Sequence, residues 1–220
     1  PRYYQIAPCF RDEDPRADRL YGDFYQLDLE MSFVEEGEVV RTTMEPLIKS
    51  LVTDFAHKKL LSEEIPRIPY QEAMNRFGVD KPDLRYGMEL IDLKEALKDT
   101  AFKVFQTESV KAICVKNGAT LSRSQIDNFT EKARKLGAGG LAYIIYENDE
   151  VKSPIAKFLT EAELAKIKEL TGAENGDAVF FGADSLSKVN KVLGQLRIAF
   201  ADHFNLKDDN VVALCWIVDF

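Results

Sequence analysis

The sequence predicts an α+β protein: a strand hairpin with a flanking helix, followed by a small α/β domain of about a hundred residues. Three observations predict it. Tyr25, Leu27, Leu29, Met31 and Phe33 alternate strictly with Phe24, Gln26, Asp28, Glu30 and Ser32, the period of a strand with one apolar and one polar face. Between Glu38 and Leu61, Val40, Met44, Leu47, Ile48, Leu51, Val52 and Phe55 recur at helical spacing. Beyond Phe105, apolar runs alternate with segments opened by capping boxes.

In chain order, residues 2 to 13 read as a strand, with Tyr3, Tyr4 and Ile6 supplying β-propensity. A charged loop then leads to the return strand. Pro46, inside the helical pattern that follows, predicts a kink or a helix start. Residues 65 to 70 hold two prolines and read as an extended connection. Tyr70 to Phe77 is a short helix closed by Gly78. The stretch from Gly78 to Leu90 is loop and turn before a short strand.

Val110 to Val115 is a compact apolar strand. Ser122-x-x-Gln125 opens a helix to Leu136, which Gly137 ends. Gly140 to Tyr146 is a second strand, and Thr160-x-x-Glu163 caps a helix to Leu170. Ala178 to Phe181 is a third strand. Ser185 to Phe204 is a long helix burying Leu186, Val189, Val192, Leu193, Leu196 and Phe200. Gly137, Gly139 and Gly140 lack the spacing and the Lys-Ser/Thr ending of a phosphate loop, so a helix end explains them better. Val211 to Phe220 is a dense apolar strand that stops without a polar tail and looks cut rather than finished.

With 220 residues the chain can hold one large domain or two small ones. Its 45% hydrophobic and 30% charged content suits a soluble globular protein. A net charge of −8 argues against a uniformly basic nucleic-acid coat but leaves room for a local basic strip. Cys9, Cys114 and Cys215 are odd in number and widely spaced, the pattern of reduced thiols in a cytoplasmic protein. No signal peptide or membrane span is visible, and two histidines make a histidine metal cluster a poor expectation.

The chemistry concentrates at the hairpin. Pairing the two strands places Arg11, Glu13, Phe24, Gln26 and Asp28 on one surface, with Asp12 pointing the other way. Such a face offers a guanidinium fork for phosphate or carboxylate, acids for a cation and an aromatic plane for a base. A plain solvated strand face has the same composition. Phe10-Arg11-Asp12-Glu13, a charged loop and Phe24-Tyr25-Gln26-Leu27-Asp28 together resemble motif 2 of a class II aminoacyl-tRNA synthetase. The longer wording, Cys9 to Arg19 and Phe24 to Phe33, is similar to bacterial aspartyl-tRNA synthetases. Phe180-Phe181-Gly182-Ala183-Asp184, Gly137 to Tyr143 and Ser153 to Leu159 resemble the GAD domain inserted in those enzymes.

The resemblance implies a partial class II catalytic domain at 1–104, an antiparallel sheet with flanking helices, then a GAD insertion at 105–205 and a strand at 206–220 returning to the catalytic sheet. It implies an aspartate–tRNA ligase, of which this chain is a piece without motifs 1 and 3 and inactive alone. Arg11 is then the catalytic cation at the α-phosphate and also approaches the aspartate carboxylate. Asp12 and Glu13 complete the ATP contacts, Phe24 stacks on adenine, and Gln26 with Asp28 holds the substrate ammonium. Arg16 and Arg19 meet the acceptor end of the aspartate tRNA. L-aspartate, ATP and tRNA are the implied ligands, with Mg2+ expected for the whole enzyme on ligands outside this chain. A homodimeric, cytoplasmic parent with no membrane or DNA partner is also implied. Leu20 stands where many relatives carry an ATP-contacting glutamine, and its side chain cannot donate that bond. Asp80, Lys81, Asp83 and Arg85, in the family's Asp-Lys-Pro-Asp-Leu-Arg wording, read as an ion-pair knot or as groups approaching substrate. The competing function is a non-catalytic tRNA- or protein-binding module centred on the GAD domain.

Overall fold

The computed structural model describes residues 1–11, 22–148 and 150–220. They form two units, Pro1–His57 and Lys58–Phe220.

In the first unit, β1 (Arg2–Arg11) and β2 (Gly22–Met31) form an antiparallel ladder from Arg2↔Met31 to Arg11↔Gly22. The expected alternation is present, but its apolar side is not covered. Tyr4, Ile6 and Tyr25 are 68%, 66% and 72% exposed, and no described residue of this unit is buried. Phe33, the last member of the apolar series, lies past the strand with φ of 61°. Helix α1 (Gly37–Ser50) runs through Pro46 rather than starting there, and widens into a π-helical stretch over Leu51–Phe55. Pro46 has no N–H to give the preceding turn. The hydroxyls of Thr42 and Thr43 meanwhile bond back to the Glu38 and Val39 carbonyls, at 2.9 and 2.7 Å.

The second unit is built on a five-stranded sheet in the order β5 (Ile91–Asp92), β6 (Ser109–Val115), β9 (Ala178–Asp184), β7 (Ala142–Glu147) and β8 (Glu150–Lys152). Every ladder in it is antiparallel, so alternating strands and helices here do not make parallel crossovers. Helices cover both faces, and β6 is therefore buried from end to end. On one face, Ile113, Val115 and Phe180 pack with α3 (Arg123–Lys135) and α5 (Leu186–His203). On the other, Val110, Ala112 and Val179 pack with Phe105 and with Ile167 of α4 (Glu161–Thr171). Both expected capping boxes form, Ser122 with Gln125 and Thr160 with Glu163. The long helix buries Val189, Val192, Leu193, Leu196 and Phe200; Leu186 stays 38% exposed because it sits in the first turn.

Two short parallel pairs join the end of the chain to residues 59–69. Val211–Val212 (β10) pairs with Lys59–Leu60 (β3), and Trp216–Val218 (β11) with Arg67–Pro69 (β4). The apolar run at 211–220 is thus two strands rather than one, broken where the chain passes from one partner to the next. Helix α2 (Tyr70–Phe77) follows β4 and ends at Gly78 in the left-handed conformation, as its sequence predicts. The Asp83–Arg85 half of the expected ion-pair knot forms, and Arg85 also donates to the Asp208 carbonyl at 3.0 Å.

Beneath it lies a group the sequence does not announce. Arg197 of α5 is wholly buried and donates to the carbonyls of Asp83, Tyr86 and Gly87 through Nη2 at 2.7 to 3.0 Å. Its guanidinium also lies 4.3 Å from the Tyr86 ring centre and 5.0 Å from that of Phe77. No helix among the described residues is long and apolar enough to cross a membrane.

Candidate functional site

Residues directly opposite in an antiparallel pair share a face. The register therefore gathers Tyr3, Gln5, Ala7, Cys9 and Arg11 with Gly22, Phe24, Gln26, Asp28 and Glu30. Arg11, Phe24, Gln26 and Asp28 stand on one side of the hairpin, as their spacing predicts. Asp12, Glu13, Arg16, Arg19 and Leu20 lie outside the described residues.

The face is ordered by short polar contacts. Gln5 Nε2 donates to Asp28 Oδ2 at 2.8 Å, and the Tyr3 hydroxyl donates to Gln5 Oε1 at 3.1 Å. These bonds fix the Asp28 carboxylate on the strand surface while leaving its other oxygen to accept from an ammonium. The Cys9 thiol donates to Gln26 Oε1 at 3.0 Å, which leaves the Gln26 amide free to turn its N–H groups outward. At the loop end, Arg11 Cζ lies 5.8 Å from the centre of the Phe24 ring. The contact is a cation–π pair on the half-buried aromatic.

Spacing sets what this face can hold. Phe24 and Asp28 are four residues apart on one strand, so their Cα atoms are separated by about 13 Å. An aromatic plane and a carboxylate are thus presented on one face at that separation.

Gln5 and Cys9 are the members of the face that sequence reasoning passed over. Their signal was available: both lie at even steps from Arg11 on β1. Among the described residues, no three or more His, Cys, Asp or Glu side chains gather as a metal ligand set. Asp28 and Glu30 do not by themselves make a cage for Mg2+.

Comparison with known proteins bears on the whole chain. Residues 102–193 match the family model described as "GAD domain". The aspartate–tRNA(Asp/Asn) ligase of Pelodictyon phaeoclathratiforme is 48% identical over 100% of this chain, which covers 37% of that protein. Those of Chlorobaculum parvum and Prosthecochloris aestuarii are 46% and 45% identical with the same coverage. The chain spans a little over a third of the length of the curated relatives it matches. A solved structure, the hypothetical protein PH0730 from Pyrococcus horikoshii OT3, overlaps 43% of this chain and 51% of its own at TM-score 0.34 and 21% identity, too slight a likeness to define a fold.

Proposed function

We propose that this chain is the motif 2 and GAD portion of an aspartate–tRNA ligase, which joins L-aspartate to ATP as an adenylate and passes it to tRNA. The observation that carries the reading is the single face shared by Arg11, Phe24, Gln26 and Asp28. It is supported by 48% identity over the whole chain to a protein of that name. The relatives' names extend the tRNA partner to both the aspartate and the asparagine species.

Arg11 holds the α-phosphate as negative charge develops there, because a rigid bidentate cation stabilises that charge better than a mobile ammonium. It also approaches the aspartate carboxylate. Phe24 stacks on the adenine. Asp28, held by Gln5, and Gln26 orient the substrate ammonium, so that the attacking carboxylate meets the phosphorus without further search. Asp12 and Glu13 complete the ATP site, and Arg16 and Arg19 meet the acceptor end of the tRNA. Residues 1–104 belong to the class II catalytic domain, 105–205 to the inserted GAD domain, and 206–220 return to the catalytic part. The parent is a cytoplasmic homodimer that uses Mg2+ bound elsewhere.

The test is aspartate-dependent ATP–pyrophosphate exchange. In the full-length protein carrying this segment, Arg11→Ala abolishes exchange, while near-normal exchange removes Arg11 from the mechanism. The 220-residue chain alone shows no exchange, and measurable turnover by it overturns the view that it is one part of the active unit.

A further inference from the structure

The ligase reading leaves the interior of the GAD region without a task, and that region contains a cavity of about 480 Å3. We infer that this cavity binds a free α-amino acid with a large apolar side chain. The inference is independent of the hairpin chemistry.

The cavity exists because β9 outruns β7. Strand β9 pairs with β6 along its whole length, from Ser109↔Asp184 to Val115↔Ala178, but with β7 only as far as Ala142↔Phe181. Residues 182–184 therefore lack a strand partner on the β7 side. The Tyr146 N–H donates to the Asp177 carbonyl across the β7–β9 pair. In an antiparallel ladder every second residue repeats that orientation, so Ala183 directs its own N–H and C=O to the same side. Among the described residues, none pairs with Ala183 there. One open main-chain donor and acceptor thus line the cavity.

The walls supply the apolar part. Phe105 and Phe181 pack with ring centres 5.3 Å apart, Phe102 meets Phe105 edge-on at 4.9 Å, and all three line the space. Gly139 and Gly140 also line it, and neither is demanded by the fold. Neither has a positive φ, and a Cβ built on either meets nothing within 4 Å. The volume falls within the range of small-ligand sites.

The mouth supplies the charge. Asp184 and Lys188 line the cavity and face each other as a half-exposed pair, Nζ to Oδ2 at 2.8 Å. A zwitterion matches both: its ammonium meets the Asp184 carboxylate, its carboxylate meets Lys188 and the Ala183 N–H, and its side chain enters the aromatic walls. Nothing in this arrangement suits a polyanion.

The experiment is titration of the 220-residue chain followed by 15N–1H spectra. L-Phenylalanine is expected to give saturable shifts at the Gly139, Gly140, Gly182 and Ala183 amides. Phenethylamine, 3-phenylpropionate and glycine each lack one recognised group and bind at least tenfold more weakly. Asp184→Asn, which keeps the side-chain shape, weakens L-phenylalanine at least tenfold. Gly140→Leu fills the space and removes binding while the remaining spectrum stays native. Absence of saturable shifts, shifts outside the cavity, or equal binding of toluene and L-phenylalanine overturns the inference. Undiminished binding by Gly140→Leu does the same. The ligand series on the unmodified chain decides the matter even if a variant does not fold.

Discussion

Gly78 and Gly194 meet back to back: a Cβ on Gly194 would lie 2.7 Å from the Gly78 carbonyl oxygen, and one on Gly78 would lie 2.8 Å from Gly194 Cα and 2.2 Å from the Asn190 oxygen. This is where the end of α2 rests on the middle of α5. Gly194→Ala is expected to lower stability by roughly 1–3 kcal/mol through overpacking, read as a shift of the urea midpoint. Gly78→Ala costs more, since its φ of 70° adds backbone strain to the clash. Gly172→Ala, at φ 59° with nothing within 4 Å, isolates the backbone part and is the mildest. Equal losses at Gly172 and Gly78 would show that the contact is not close.

Arg197→Met removes the donor that serves the carbonyls of Asp83, Tyr86 and Gly87. Buried acceptors left without partners cost about 1–3 kcal/mol each. A loss of about 3 kcal/mol or more in urea unfolding is the expected result, with faster amide exchange over residues 83–88. A loss below about 1 kcal/mol would mean that water takes over the bonds.

Acid should weaken the second unit through two carboxylates. Arg85 donates to Asp83 and Arg76 to Glu89, each holding its partner's carboxyl below the usual range. At a pH just under the ordinary value of about 4, the unfolded chain then binds more protons than the folded one, so stability rises with pH. The contribution is complete above that value and disappears as pH falls through the lower folded pKa. Urea midpoints between pH 2 and pH 7 measure it. Asp83→Asn with Glu89→Gln flattens the acid limb, and an unaltered limb rejects the assignment.

Cysteine labelling separates the buried thiol from the half-buried ones. Burial pushes the Cys114 thiol up to about 11, with the Asp177 carboxylate adding to the shift. A thiol with that pKa is almost wholly protonated at pH 8 and a poor nucleophile. Iodoacetamide at pH 8 is therefore expected to spare Cys114 in the native chain and to modify it after urea unfolding, while half-buried Cys9 reacts first. Mass spectrometry of the digest decides, and early modification of Cys114 would place it nearer solvent than its 9% exposure implies.

Much of this was legible in the sequence, because the deciding signals are local. The capping boxes at Ser122 and Thr160, the glycine stop at Gly78 and the period-two faces at 23–31 depend on a few neighbouring residues. What local signals cannot carry is pairing. The antiparallel order of the central sheet, the split of 211–220 between β3 and β4, and the coupling of Arg197 to a loop about 110 residues earlier are long-range outcomes. Pro46 does not start a helix for a related reason: the cost of one missing bond is borne inside a helix extending several turns. At the hairpin, the Arg11 face could be read from alternation alone, whereas Gln5 as the partner of Asp28 required the register.

The uncovered side of that hairpin carries a mechanical consequence. Two strands with no third layer are marginal in water, and Ile6, Tyr25 and Leu27 turn their apolar groups outward. The interval between Arg11 and Asp28 is a ruler drawn on a two-stranded ribbon, and its stiffness must come from whatever presses against the reverse. On the proposed function, precision on the polar side is set by dryness on the other.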